Sequence, residues 1–241
     1  MTDWIIPDWP APASVRALVT TRDGGVSDGP YASMNLATHV GDDPAAVAEN
    51  RRRLRDRIPA EPSWLSQVHG VAVVRAECAA EDAEADAVFT RQKGRACAVL
   101  TADCLPVLLC NDAGTVVCAA HAGWRGLAGG VIESAVRAMD EPPARLLAWL
   151  GPAIGPQAFE VGAEVRAAFL ARAPAAAAAF VPKANGKWLA DLYRLAGQRL
   201  GALGVSRVFG GGFCTYHEAA RFYSFRREKT TGRMASLIWM E

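Results

Sequence analysis

The sequence predicts a mixed α+β fold, and three observations lead there. Its 241 residues are 51% hydrophobic and 21% charged with a formal net charge of +1, which is ample apolar material for a core and too little net charge for disorder. Short apolar, β-branched runs crowd the middle of the chain, while helical patterns lie toward both ends. Strands and helices are thus segregated rather than strictly alternating, which favours α+β over a doubly wound parallel sheet. With no repeat, heptad run or long linker, one domain over residues 1–241 is expected.

In chain order, residues 15–21 read as a strand, followed by a turn-rich loop, Arg22-Asp-Gly-Gly-Val-Ser-Asp-Gly-Pro30. Asp42-Asp43-Pro44 opens a helix, with an acidic cap and a proline where the missing N–H costs nothing, and Pro59 stops it beyond Arg57. Strands are expected at 71–75, 86–90, 96–101, 106–110 and 115–121, then a helix over 127–139 and a strand at 146–150. Helices near 164–173 and 189–203 and strands near Val208 and Leu237 complete the pattern, and Pro174 in the alanine-rich stretch 173–179 reads as a helix end.

Near-neutrality removes the field that would attract nucleic acid, and the local run Arg51-Arg-Arg-Leu-Arg-Asp-Arg57 reads as a solvated helix face. The N-terminus lacks the basic-then-apolar pattern of a signal peptide, and no run approaches the roughly 18–20 apolar residues of a membrane span. A cytoplasmic protein is therefore expected, acting on small molecules. In that compartment its six cysteines serve as core residues, ligands or nucleophiles rather than disulfides. Only four histidines, at 39, 69, 121 and 217, are available for imidazole chemistry.

The segment from Thr101 to Gly126 is the most informative. Asn111-Asp-Ala-Gly114 is turn chemistry between two apolar runs, the pattern of a β-hairpin. Pairing Asn111 with Gly114 puts Cys104 directly opposite His121 on one face and turns Cys118 to the other. A one-residue slip would separate the two side chains, and Pro106 restricts the pair to an edge, a strand start or a bulge.

His121 opens His-Ala-Gly-Trp-Arg-Gly126, a strand leading through small residues into a helix. Gly123 and Gly126 either let backbone approach an anionic ligand or allow close helix–strand packing, and Arg125 adds a forked cation suited to phosphate. His69, in Ser66-Gln-Val-His-Gly70, would complete a His₂Cys set with Cys104 and His121. Three protein ligands leave a fourth tetrahedral position open, as in catalytic zinc sites. Arg226, Arg227 and Arg233 near the C-terminus suit either anion contact or a surface ion-pair network.

Seven segments in order, Thr20-Thr-Arg-Asp-Gly-Gly-Val-Ser, Ser66-Gln-Val-His-Gly, Ala85-Asp-Ala, Thr101-Ala-Asp-Cys-Leu-Pro, His121-Ala-Gly-Trp-Arg-Gly, Gly151-Pro-Ala-Ile-Gly and Ser224-Phe-Arg-Arg-Glu with Thr231-Gly-Arg, resemble the laccase-domain or polyphenol oxidoreductase family. That family is also described as purine nucleoside phosphorylases. The resemblance covers nearly the whole chain and implies sheets flanked by helices in α/β/β/α layers. It implies a zinc site from His69, Cys104 and His121, and phosphorolysis of adenosine, inosine, guanosine and methylthioadenosine with deamination of adenosine. A relative described as a peptidoglycan editing factor offers the alternative of an amidohydrolase acting on muramyl nucleotides. One departure is Ala158 before Phe159-Glu-Val-Gly162, where many members carry cysteine.

Four histidines cannot build a multicopper oxidase, whose trinuclear cluster alone consumes many imidazoles, so copper here would be an opportunistic occupant of the zinc site. A metal-free hydrolase with Cys104 as nucleophile and His121 as base is the competing reading. In the zinc reading Asp103 or Glu160 shuttles the proton, and Arg125 with the glycine-rich turn cradles phosphate.

Overall fold

The computed structural model describes residues 3–80 and 82–241. Two mixed β-sheets lie face to face, with helices on both outer faces, so the α/β/β/α layering is realised. The four-stranded sheet has the spatial order Val15–Val19, Met234–Met240, Arg95–Thr101, Glu61–Ser63. The six-stranded sheet runs Arg207–Gly210, Leu146–Leu150, Leu105–Asn111, Val117–Ala122, Ala87–Thr90, Val73–Arg75.

Period-two alternation separates the apolar layers. In the strand Leu105–Asn111, Leu105, Val107 and Leu109 pack toward the helices while Leu108 and Cys110 face the other sheet. In Val117–Ala122, Cys118, Ala120 and Ala122 turn to the helices, and Val117 and Ala119 turn inward. The inter-sheet core is completed by Val15, Val19, Cys97, Val99, Ile238 and Met240 from the four-stranded sheet. The outer face of that sheet, with Leu18, Ala98, Leu100 and Leu237, is covered by Met34, Leu36 and Leu54. Leu54 belongs to the helix Pro44–Arg55, which Asp43 caps by accepting the Ala45 amide. On the opposite side, Val131–Met139 and Leu192–Leu203 cover the six-stranded sheet.

The expected elements occur with shifted ends. The helix expected over 127–139 is two, Trp124–Gly129 and Val131–Met139, because Gly130 takes φ 109° and breaks the hydrogen-bond ladder. The alanine-rich stretch forms a 3₁₀ helix, Pro174–Ala179, after the helix Ala163–Leu170. The hairpin register differs from expectation. Leu105 pairs with Ala122 and Pro106 with His121, so the strands are displaced by two residues from the expected alignment. The Asn111 side chain causes this by bridging the loop: its Oδ1 accepts the Thr115 amide and its Nδ2 donates to Thr115 Oγ1, both at 2.8 Å. Asn111 then faces Val116, to which its amide donates at 3.3 Å. A two-residue shift preserves the faces, so Cys104 and His121 stay on one side. Pro106 is the second residue of its strand, and its backbone faces Gly151, just past the end of Leu146–Leu150, whose amide donates to the Pro106 carbonyl at 2.9 Å, so no ladder donor is missing there.

The arginine-rich helix face is held by ion pairs, Arg52 and Arg53 with Glu49, Arg52 with Asp56, and Arg55 with Glu61. Arg51 instead stacks on Trp64 at 4.4 Å and donates to the Leu36 carbonyl.

Candidate metal centre and cleft

At one end of the two facing sheets, three segments converge. His121 is the fifth residue of Val117–Ala122, Cys104 immediately precedes Leu105–Asn111, and His69 lies in the loop between the strands Leu65–Ser66 and Val73–Arg75. Their ligand atoms all lie within 4.8 Å of one another, and among the described residues they form the one group of three such side chains able to hold a metal. Cys104 Sγ is 3.6 Å from His69 Nε2. Tetrahedral zinc, with bonds of about 2.05 Å to nitrogen and 2.3 Å to sulfur, places such a pair about 3.6 Å apart. The donor chemistry and this separation fit the ion.

Gly123 makes room for the cluster. A Cβ there would lie 2.8 Å from His69 Cδ2 and 2.9 Å from Cys104 Sγ, inside the contact distance of both. Gly126 has a different reason for being glycine: its Cβ would meet the Gly70 carbonyl at 2.7 Å. The helix Trp124–Gly129 therefore packs closely on the His69 loop, so Gly126 takes the packing role of the two left open.

Asp86 organises both histidines. It is fully buried and next to the strand Ala87–Thr90, directly across from His121, whose amide donates to the Asp86 carbonyl at 2.7 Å. Asp86 Oδ1 accepts from His121 Nδ1 at 2.8 Å and from the His69 amide at 3.0 Å. Oδ2 accepts from the Gly70 amide at 2.6 Å and from the Val68 amide at 3.3 Å. Three consecutive amides closing on one carboxylate form an anion nest, which holds His69 at φ 60°. A carboxylate only accepts, so His121 carries a proton on Nδ1, which leaves Nε2 as the ring nitrogen available to the site and the one that would bind a metal. Burial opposes the charge on Asp86, but the His121 hydrogen bond and the Gly70 and His69 amides outweigh it and hold the carboxyl below its ordinary range. In the sequence Asp86 is only the middle residue of the segment Ala85-Asp-Ala, and its role is visible only in the folded chain. An acidic residue leading an apolar strand inward was the available signal of its place.

The electrostatics of Cys104 and His121 are linked. Burial pushes the Cys104 thiol up, yet the His121 charge and hydrogen bonds from both histidines bring it down to about 6. Burial likewise disfavours charge on His121, and the Cys104 thiolate and Asp86 raise it. The other buried cysteines go the opposite way: burial pushes Cys110 and Cys118 up to about 12. Cys104 is thus distinguished as thiolate, metal ligand or nucleophile.

The cluster opens into a cleft of about 320 Å³ whose walls include Gln67, Leu100, Ala102, Phe225, Arg125 and Arg233. Gln67 is fixed by a double hydrogen bond to the Leu100 backbone, 2.8 Å to its carbonyl and 2.7 Å from its amide. Arg125 lies over the Trp124 ring at 4.6 Å, and Arg233 anchors one nitrogen on the Thr231 and Gly232 carbonyls. His39, unassigned in the sequence, also lines this cleft.

The remaining expected residues lie elsewhere. Arg226 donates to the Glu160 carbonyl at 2.8 Å and lies over Phe159. Arg227 spends its guanidinium on the Thr215, Tyr216 and Phe222 carbonyls. Both hold the C-terminal segment together and neither lines the cleft. Glu160 is ion-paired to Lys183 and Lys187, whose hydrogen bonds bring its carboxyl down to about 2. Asp103 accepts from Thr215 Oγ1 and from the Arg226 amide, both at 2.6 Å. Neither carboxylate lines the cleft. Ala158, the departure from the family pattern, packs against the helix-side core.

The sequence pattern of the family described as multi-copper polyphenol oxidoreductase laccase matches residues 16–241. A Pseudomonas aeruginosa protein named purine nucleoside phosphorylase is 60% identical over 242 residues, covering 100% of both chains. Its Escherichia coli counterpart, named purine nucleoside phosphorylase YfiH, is 54% identical over 243 residues, again covering 100% of both. Among solved structures, a Neisseria meningitidis protein superposes with a TM-score of 0.97 at 52% identity, covering 99% of each chain. YlmD of Geobacillus stearothermophilus gives 0.87 at 31% identity, covering 96% of this chain and 94% of its own. With likeness running through sequence and fold alike, the chain belongs to the multi-copper polyphenol oxidoreductase laccase family.

Proposed function

We propose that the protein is a zinc-dependent purine nucleoside phosphorylase acting on adenosine, inosine, guanosine and methylthioadenosine, with adenosine deaminase activity from the same site. The observation that carries this reading is that the His69–Cys104–His121 set and two arginines, Arg125 and Arg233, share one cleft. The names of relatives at 54–60% identity support it.

His69, Cys104 and His121 would hold the zinc, which supplies Lewis-acid chemistry when bound. Phosphate is recognised by Arg125 and Arg233, whose forked donors match its oxygens. Leu100, Ala102 and Phe225 offer an apolar wall for the purine. Asp86 keeps His121 in the tautomer that presents Nε2. We place the protein in the cytoplasm with small-molecule partners only. The six cysteines are free, and among the described residues no helix is long and apolar enough to cross a membrane.

The test is phosphate-dependent release of hypoxanthine from inosine by protein purified without added metal, after elemental analysis. Activity that disappears on chelation and returns with zinc is expected. Full phosphate-dependent activity after chelation overturns zinc dependence, and release that needs neither metal nor phosphate favours the Cys104–His121 hydrolase. Amino-acid release from a muramyl nucleotide, without hypoxanthine release from inosine, overturns the phosphorylase reading in favour of an editing amidohydrolase.

A further inference from the structure

The ionisable side chains among the described residues lining the cleft are His39, His69, Cys104, His121, Arg125 and Arg233. The arginines stay protonated near neutral pH, and His69, Cys104 and His121 form the ligand set. His39 is what remains, and imidazole is the side chain that most readily exchanges a proton in that range. Asp103 and Glu160, the carboxylates the sequence suggested for proton transfer, face other partners.

His39 is exposed, but the loop that carries it is braced on both sides. Before it, Asn35 grips Ala37 twice, accepting its amide at 3.0 Å and donating to its carbonyl at 3.1 Å. After it, Tyr31 Oη donates to the Val40 carbonyl at 2.7 Å. Asn35 also donates to Asp42 at 2.9 Å and accepts the Arg233 amide at 3.0 Å, tying this loop to the segment that carries a cleft arginine. Such bracing fixes the backbone from which the His39 imidazole projects into the cleft.

We propose that His39 is a catalytic proton-transfer residue of this cleft, taking the proton of the attacking hydrogen phosphate and delivering it to the departing purine. The proposal rests on the phosphorylase reading. In the step, a phosphate oxygen bonds to ribose C1′ and the C1′–N9 bond breaks, its electron pair leaving with the purine. The hydrogen phosphate proton passes to neutral His39 and from the resulting imidazolium to a purine nitrogen. His39 returns to neutral, and nothing is oxidised or reduced.

The groups facing His39 support this cycle. Partial burial of the ring, then Arg233 from the C-terminal segment and Arg51 from the helix Pro44–Arg55, push its pKa down, and Asp82 opposes them. The imidazole is therefore neutral and able to accept at pH 7. Phosphorolysis that depends on it is retained above its pKa and lost as pH falls through that lowered value.

The experiment compares wild type, His39→Ala and His39→Gln as zinc-loaded proteins, with inosine and phosphate, across pH. Loss of general acid–base transfer lowers kcat about 10²–10⁴-fold. The expected result is that loss in both variants with zinc content retained and KM changed only a few-fold. The acid limb of the wild-type profile should be absent from the residual activity, and added imidazole should restore part of the rate in His39→Ala. Variants within a few-fold of wild type that keep the acid limb overturn the assignment, as does a loss of activity that merely tracks lost zinc. A zinc-loaded wild type that releases no hypoxanthine overturns the phosphorylase reading and this assignment with it, an outcome visible before any variant is compared.

Discussion

Replacing Asp86 by asparagine is the sharpest test of how the metal centre is built. The carboxylate accepts four hydrogen bonds, two on each oxygen. Asparagine keeps the shape but replaces one acceptor by an NH₂ group. If that group takes the Oδ2 position, the Val68 and Gly70 amides lose their acceptor. If it takes the Oδ1 position, the His69 amide and His121 Nδ1–H lose theirs. Either way two donors aimed at the buried carboxylate lose their acceptor, at up to about 1–3 kcal/mol each, so the apo-protein should lose about 2–6 kcal/mol. In a chain of this size about 1 kcal/mol shifts the melting temperature by roughly 2–4 °C, so the drop should be at least about 4 °C. Zinc affinity, read by chelator competition, should fall about 10–100-fold because the partner that orients both histidines is impaired. The pH dependence has a defined sign. Asp86 has a depressed folded-state pKa, so its contribution is present above the unfolded value near about 4 and is lost as pH falls through the lower folded value. An Asp86→Asn protein that melts within about 2 °C of wild type and binds zinc equally well would refute this account of the nest.

Gly123→Ala should abolish zinc retention, measured by elemental analysis, since its methyl would lie within 2.9 Å of Cys104 Sγ. Its far-ultraviolet spectrum should remain folded, because the conflict is with side chains of the site. Cys104→Ala removes the sulfur that is the metal ligand in the zinc reading and the nucleophile in the metal-free one, and should eliminate zinc binding and every catalytic activity in a nucleoside panel. Arg125→Ala should raise the phosphate KM about tenfold or more while leaving adenosine deamination within a few-fold of wild type. Arg227→Ala should behave oppositely in the same kinetic and melting assays. It leaves phosphate KM near wild type but lowers the melting temperature, because three backbone carbonyls lose their donor.

The layers were legible because alternation and punctuation are local. The strand expected at 146–150 is Leu146–Leu150, and the acidic cap and Pro44 did place a helix start. The hairpin exposed the limit of such reasoning. Asn111-Asp-Ala-Gly114 announces a turn, but whether Asn111 pairs with Gly114 or Val116 depends on how one side chain bonds Thr115. Side-chain parity survived because the shift was even, which left Cys104 and His121 on the same face. The short strands Glu160–Val161, Phe180–Pro182 and Trp188–Ala190 were missed, as two- and three-residue strands carry too few residues for a period. Arg226 and Arg227 look like anion binders in sequence because a guanidinium suits a phosphate and a backbone carbonyl equally well. Only the folded chain shows the carbonyls already there.

The family description and the relatives' names place different demands on the same few side chains. A multicopper oxidase needs a cysteine–histidine copper site together with a trinuclear cluster held by many imidazoles. This chain has four histidines, of which His69 and His121 are in the ligand set. His39 stands across the cleft among arginines, and His217 packs against Tyr216 in a different cleft beside Cys214. No arrangement of the two outside the set could supply a trinuclear cluster. Copper(II) nevertheless outcompetes zinc for nitrogen and sulfur donors, so copper acquired by an open His₂Cys site reports the metal encountered more than the reaction performed. The arginines are the more selective clue. Electron transfer from a phenol has no use for two guanidinium groups lining the same cleft as the candidate metal ligands, whereas the phosphorolysis proposed for this chain does.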